Sequence, residues 1–300
     1  MIVTTRWRRL RHSESAAFWL FLTPWLVGLL GLTLGPMLFS LYAAFTRWNG
    51  VTASEWIGLQ NFRVLFTTDL DFWPSLGHTF LYAGARVVLG TVVALALAAM
   101  VNTRVIGRTF FRTVFFLPAI VTGVPLFVVW QWMFDPQAGI LNYLLGAVGI
   151  DGPDWLSSTT WAIPALVFMS LTATGGAMII FLAGLQDVPV ELRDAALVDG
   201  AGWWQRFIRI TVPLLSPVIL FNVIMGLISS LQVFAEPFVM TDGGPEHSTY
   251  FLGLYLFKEA FSYSNVGYAS ALAWVQFLIV VVLTVAVLRF SRRHVHYLGS

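Results

Sequence analysis

Residues 266–290 read VGYASALAWVQFLIVVVLTVAVLRF, an apolar run with no charged side chain before Arg289. A helix rises 1.5 Å per residue, so about 20 apolar residues cross a hydrocarbon core of ~30 Å. This stretch is long enough to be a membrane span, and it sets the terms for the rest of the chain. Working outward, five further runs have the same character, at 18–45, 76–101, 110–134, 161–185 and 213–234. Composition agrees: 58% of residues are hydrophobic and 11% are charged, where a soluble domain carries about 25% charged. The expected fold is all-α and polytopic, with six transmembrane helices in a single domain over residues 1–300.

Charge placement orients the spans. Arg6, Arg8, Arg9 and Arg11, then Arg104, Arg108 and Arg112, then Arg193, Arg206 and Arg209, then Arg289, Arg292 and Arg293 all fall on one side. The other side holds Arg47, Arg63 and Lys258. Positive residues mark cytoplasmic loops, so both termini are expected in the cytoplasm. The opposite loops are acidic, with Asp69, Asp71, Asp135, Asp151, Asp154, Asp242 and Glu246. Trp48, Trp56, Trp73, Trp130, Trp132, Trp155 and Trp161 gather near one interface, and Trp203 and Trp204 near the other. An indole with one apolar face and one N–H suits an interfacial anchor; stacking on a sugar ring is the alternative for one of them. The first run is too long for the core of a cleavable signal peptide and reads as the first span.

Several chemistries lack their residues. With no cysteine, disulfides, thiolate metal sites and cysteine nucleophiles are excluded. The lone lysine, Lys258, follows no glycine-rich loop, so the chain has no phosphate-binding loop of its own. The acidic residues lie in loops and tails, with Glu236 at the end of span five the nearest exception, and His78 also sits near a span end. That argues against proton coupling through titratable groups at mid-membrane. His294 and His296 read as a solvated tail, and no nucleophile–base arrangement can be assembled. Arg86 is the awkward charge, about ten residues into the second span, where an unpaired cation costs about 3 kcal/mol. It pairs structurally, with Glu236 the candidate partner, or it lines a pathway.

Residues 186–212 are expected to form a cytoplasmic loop containing a short helix. Asp187 can cap it, Pro189 suits its first turn, and Glu191 and Asp194 complement its positive end. Leu192, Ala195, Ala196 and Asp199 share a face that the two alanines keep thin, and Gly200 can end the helix in a left-handed conformation. A docking knob for a cytoplasmic partner and a helix lying on the lipid surface both fit these residues.

Asp194-Ala195-Ala196, three residues, Gly200, nine residues, then Ile210-Thr211-Val212-Pro213 resembles the EAA motif of ABC importer permeases, with Asp for the usual Glu and Val for the usual Leu. Phe111-Arg112-Thr113, Phe116-Leu117-Pro118, Gly139-Ile140-Leu141-Asn142, Leu182-Ala183-Gly184-Leu185-Gln186, Thr241-Asp242-Gly243-Gly244-Pro245 and Gly267-Tyr268-Ala269-Ser270-Ala271 resemble its carbohydrate-uptake branch, the relatives of the maltose permease. The resemblance implies the type I importer permease fold in its compact six-span form, in a prokaryotic inner membrane. It also implies a second homologous permease as heterodimer partner, two ATPase subunits, an extracytoplasmic solute-binding protein and a sugar substrate, with no nucleic-acid partner. ATP and magnesium would be bound by the ATPases and no cofactor by this chain. Glu191, Asp194, Ala195, Ala196, Asp199 and Gly200 would carry the coupling to the ATPase.

By the same resemblance, Thr172, Ala173, Gly176, Gly226, Ser229, Ser230 and Val233 would line the substrate pathway. The sequence itself adds Asn222 and Gln232 as polar groups in span five. Amides and hydroxyls both donate and accept, which suits sugar hydroxyls, though helix packing would use the same small and polar residues. These groups fit a neutral carbohydrate; a pathway role for Arg86 would fit an anionic sugar phosphate. A secondary carrier or channel working without an ATPase is the alternative, and it would need titratable groups at mid-membrane. An intramembrane enzyme would need a convergent nucleophile and base.

Overall fold

The computed structural model describes residues 14–103, 107–121 and 123–291. The whole N-terminal arginine cluster, Arg104, Arg292, Arg293, His294 and His296 lie outside these residues. Among the described residues, three helices are long and apolar enough to cross a membrane unbroken: α1 (Ala17–Ala44), α3 (Phe72–Asn102) and α14 (Val266–Ser291). Three helix pairs qualify together but are broken: α4 and α5 (Arg108–Ile120 and Val124–Met133), α7 and α8 (Ala162–Thr172 and Gly175–Gln186), and α10 and α11 (Trp203–Leu214 and Ser216–Leu231). Counting each pair as one crossing gives six. The chain groups into two compact units, Met1–Thr67 with Glu259–Trp274, and Thr68–Lys258 with Val275–Ser300.

In the first unit α1 is apolar on every side, and no residue from 17 to 42 is buried. A surface of that kind is stable against lipid rather than water. Beyond it, β1 (Thr46–Arg47) pairs antiparallel with β2 (Glu55–Trp56), Thr46 facing Trp56 and Arg47 facing Glu55. Asn61 on α2 (Gln60–Thr67) locks this turn, donating to the carbonyls of Ala44 at 2.8 Å and Thr46 at 3.0 Å. Gly267 donates its N–H to Trp48 O at 2.9 Å. A side chain there would collide with the carbonyls of Thr46 and Ala43. The Gly-Tyr-Ala-Ser-Ala stretch therefore marks a close backbone approach.

The second unit is organised on α3, 31 residues long. Its small residues Ala94 and Ala98, with Val101, pack against Met178, Phe181, Leu182 and Leu185 of α8 and against Leu215. Small side chains let membrane helices approach closely and gain dispersion contact. A second cluster joins Tyr82 to Phe127, Trp130, Phe134, Leu166, Met169 and Phe251. The shorter helices of this unit are α6 (Ile140–Ala147), α9 (Val190–Val198), α12 (Ala235–Met240) and α13 (Leu252–Phe257).

Two of the loop motifs have an internal explanation. Asn142 donates to the carbonyls of Pro136 and Pro153 and accepts the indole N–H of Trp155 at 2.7 Å. Trp155 thus braces a loop, with its ring 5.6 Å from Phe134 and 5.5 Å from Trp161. Nearby, the backbone N–H groups of Ala138 and Gln137 donate to Asp135 and hold its carboxyl below the usual carboxylate range. In Thr-Asp-Gly-Gly-Pro, Thr241 shares a hydrogen bond with Thr249 at 2.6 Å, and Thr249 donates to Gly244 O at 2.8 Å. Lys258 closes the loop on Asp242 at 3.0 Å.

Span boundaries shift where the chain breaks. The run at 213–234 is not one helix: α10 bends by 68° into α11, which stops at Leu231. Pro217 at the start of α11 favours a new helix there. The run at 161–185 bends by 51° at Ala173 and Thr174. Just past that break Gly175 packs flush on α4, where a Cβ would stand 2.9 Å from Phe116 Cα. Backbone cannot yield as a side-chain tip does. Gly175→Val should therefore destabilise the fold by about 1–3 kcal/mol, seen as a lower melting temperature in detergent; an unchanged melting temperature would refute the contact.

Candidate functional site

Arg86 sits near the middle of α3, one turn beyond Tyr82 on the same face. Both side chains meet Glu236 in the first turn of α12. Arg86 Nη1 lies 3.9 Å from Glu236 Oε1, with the two side chains 27% and 16% exposed. The buried Tyr82 hydroxyl donates to Glu236 Oε2 at 2.5 Å, and the guanidinium carbon is 5.8 Å from the Tyr82 ring centre. Glu236 is the counter-charge anticipated for Arg86, and it is supplied from beyond the end of α11.

Arg86 also lines a cavity of about 160 Å³ enclosed by α3, α7, α8 and α11. Its polar wall is Thr91, Ser170, Thr174, Asn222, Ser229 and Ser230, with Ala173, Gly90 and Gly226 leaving room. Ser170 donates to Val167 O at 2.6 Å, Thr174 to Leu171 O at 2.8 Å, Asn222 to Val218 O at 2.9 Å and Ser229 to Gly226 O at 3.0 Å. The Ser230 hydroxyl is fully buried and has no partner among the described residues.

Of the residues proposed for the pathway, the fold brings Ala173, Asn222, Gly226, Ser229 and Ser230 to this cavity. Thr172, Gly176, Gln232 and Val233 are not in its wall. Thr172 turns back to Met169 O at 2.6 Å, and Gly176 is exposed. Val233 is core, packed with Tyr82 and Phe251, while Gln232 is exposed. The helix breaks reset the angular phase, so spacing along one continuous span does not carry across them. Thr91, Ser170 and Thr174 also line it; the break falls between Ser170 and Thr174, so no continuous helical stripe in the sequence marks them.

The loop at 186–212 contains two helices, not one. The first, α9, begins at Val190 after Pro189, and Asp187 closes α8 instead of capping α9. At its far end Gly200 N–H reaches Leu197 O at 3.0 Å and Ala201 N–H reaches Ala196 O at 2.9 Å. That is a Schellman cap, and Gly200 has the required φ of +77°. Glu191, Asp194, Ala195 and Asp199 are exposed, as is Val198 at 89%, but Ala196 is buried within the chain. The thin face is thus divided, with Ala196 inward and Ala195 outward. Behind α9 lies a cavity of about 440 Å³ whose wall includes Arg193, Arg206, Asn102, Thr103, Thr211 and Trp203. Trp203 stacks on Phe207 at 5.3 Å.

This arrangement, six apolar crossings with a helix hairpin between the fourth and fifth, is that of a transport subunit. Residues 86–296 match the family described as binding-protein-dependent transport system inner membrane component. The chain belongs to that family and is a multi-pass membrane permease of the ABC importer class. It is similar to the probable ABC transporter permease protein YesP of Bacillus subtilis (strain 168), at 40% identity over 95% of this chain and 94% of that one. It is also similar to the probable starch degradation products transport system permease protein AmyD of Thermoanaerobacterium thermosulfurigenes, at 32% identity over 89% and 91%. Its fold matches a chain of a bacterial alginate ABC transporter, crystallised with an alginate pentasaccharide-bound periplasmic protein. The TM-score is 0.81 at 22% identity, covering 96% of this chain and 97% of that one.

The Gly200 geometry makes a graded prediction. A Cβ at this position meets nothing within 4 Å, so the cost of substitution comes from φ alone. Asn tolerates the left-handed region, whereas a β-branched residue pays about 1–2 kcal/mol there. Solute uptake and helix protection against hydrogen exchange should fall in the order Gly, Asn, Ala, Val at position 200. Equal behaviour of Asn and Val would refute the capping argument.

Proposed function

We propose that this chain forms half of the translocation pathway of an ABC importer for a saccharide. A second permease supplies the other half, and two separate ATPase subunits bind ATP and magnesium. The observation that carries this reading is the placement of the hydroxyl-lined cavity. Its walls are α7 and α8 on one side of the α9 hairpin and α11 on the other. A partner that moves α9 acts on both walls at once, which is the connection an ATP-driven importer needs. Glu191, Asp194, Ala195, Asp199 and Gly200 present the docking surface; Ala196 supports it from within. A carbohydrate fits the wall because hydroxyl and amide oxygens accept from sugar hydroxyls. The names of relatives such as the AmyD protein point the same way.

Expressed alone, the chain should hydrolyse no ATP; expressed with its ATPase and second permease it should copurify with them. Charge reversal at Asp194 and Glu191 together should reduce ATPase retention severalfold while the permease stays in the membrane. ATP hydrolysis by the isolated chain, or retention unaffected by charge reversal, would refute the coupling assignment.

The topology carries both termini and the α9 hairpin on the cytoplasmic side. Because the chain has no cysteine, single cysteines give a background-free readout. Ser157→Cys, in the loop before α7, should react with an impermeant maleimide in intact spheroplasts. Val198→Cys should react only after lysis. The reverse pattern would invert the topology.

A further inference from the structure

We propose that Arg86 is a substrate-recognising group, and that the saccharide taken by this cavity carries an acidic group, a carboxylate, which the guanidinium binds. The proposal rests on the saccharide-importer reading and narrows its substrate class.

Three observations combine. First, Arg86 is part of the cavity wall, while Glu236 and Tyr82 are not. A ligand in the cavity therefore meets a cation and no carboxylate among the described lining residues. Second, Glu236 is already committed to Tyr82 at 2.5 Å, and it stands 3.9 Å from Arg86. Charge-assisted N–H···O bonds run about 2.7–2.9 Å. At 3.9 Å the carboxylate supplies a counter-charge without a hydrogen bond, and Arg86 makes none among the described residues. Its five N–H donors form a planar fork suited to two oxygens of one carboxylate.

Third, the rest of the wall is uncharged. The hydroxyl donors of Ser170, Thr174 and Ser229 and one N–H of Asn222 are bound to carbonyls of their own helices. What these groups offer the cavity is mainly oxygen lone pairs, which accept from sugar hydroxyls, with one further N–H from Asn222. The charged donor among the described lining residues is the Arg86 fork. A wall of acceptors with a donor fork matches a polyhydroxy ligand bearing an acid. A neutral sugar would displace water from the guanidinium without returning a comparable bond, and in a membrane span that desolvation is costly. A carboxylate returns it.

The test uses the complete importer with its binding protein, reconstituted in proteoliposomes. The probes are mono-, di- and trisaccharides of galacturonic and glucuronic acid, each beside its galactose or glucose counterpart of the same linkage. The acidic compounds should enter at least about tenfold faster than their neutral counterparts, a discrimination equivalent to one charge-assisted contact. Arg86→Gln should lower acidic uptake on the order of tenfold, and Arg86→Lys, which keeps the charge and loses the fork, by less. The Arg86→Gln/Glu236→Gln double variant separates recognition from structure. It removes both charges, so a purely structural pair predicts recovered assembly and recovered acidic uptake. Recognition by Arg86 predicts recovered assembly with acidic uptake still lost. Import of neutral compounds alone, or full acidic uptake by the double variant, would overturn the proposal and leave the saccharide reading standing. Import of no compound in the panel would overturn both.

Discussion

A guanidinium halfway along a membrane helix must find its counter-charge inside the protein, because the surrounding hydrocarbon offers none. Here that requirement ties α3 to α12. Tyr82 and Arg86 present one face of α3, and Glu236 meets both from the first turn of a helix that begins after α11 has ended. The position of Glu236 helps to explain why α11 stops at Leu231. A continuous helix would carry the carboxylate onward along its own axis instead of back to α3. The same return brings Val233 into the core beside Tyr82 and Phe251, and it leaves α3, α7, α8 and α11 to enclose the cavity that Arg86 lines.

Breaks in membrane helices are tolerated where the freed backbone groups are met by other partners. At the α7–α8 break, Thr172 and Thr174 donate their hydroxyls to carbonyls three residues earlier. Those bonds satisfy the helix end and turn Thr172 away from the cavity. The break before α11 follows Pro213 and precedes Pro217, so the chain is short of helix donors where it bends. Both bent pairs flank the α9 hairpin. The two bends therefore lie on either side of the segment proposed to dock the partner.

Much of what makes the chain look like its relatives turns out to be masonry. Asn142 binds two loop carbonyls and an indole. Thr241 and Thr249 tie the Gly-Gly-Pro turn, and Gly267 admits a carbonyl that any side chain would block. Such residues hold irregular backbone in place at the ends of helices, where no regular ladder can do it. Their presence in the sequence identifies the architecture; it does not point to the ligand.

Helix-length apolar runs and the residues around Gly200 were enough to determine an all-α membrane fold, a helix in the 186–212 loop and the glycine that caps it. Each of these depends on local chemistry: transfer of side chains into hydrocarbon, helix rise, and the φ that only glycine adopts freely. Arg86 and Glu236 could be paired from the sequence because two lone charges in apolar runs have few other solutions. The inward turn of Ala196, the loss of Thr172, Gly176, Gln232 and Val233 from the cavity wall, and the entry of Thr91, Ser170 and Thr174 were settled only in three dimensions. Helical periodicity predicts a face only while the helix continues, and at Ala173–Thr174, Leu215 and Leu231 it does not.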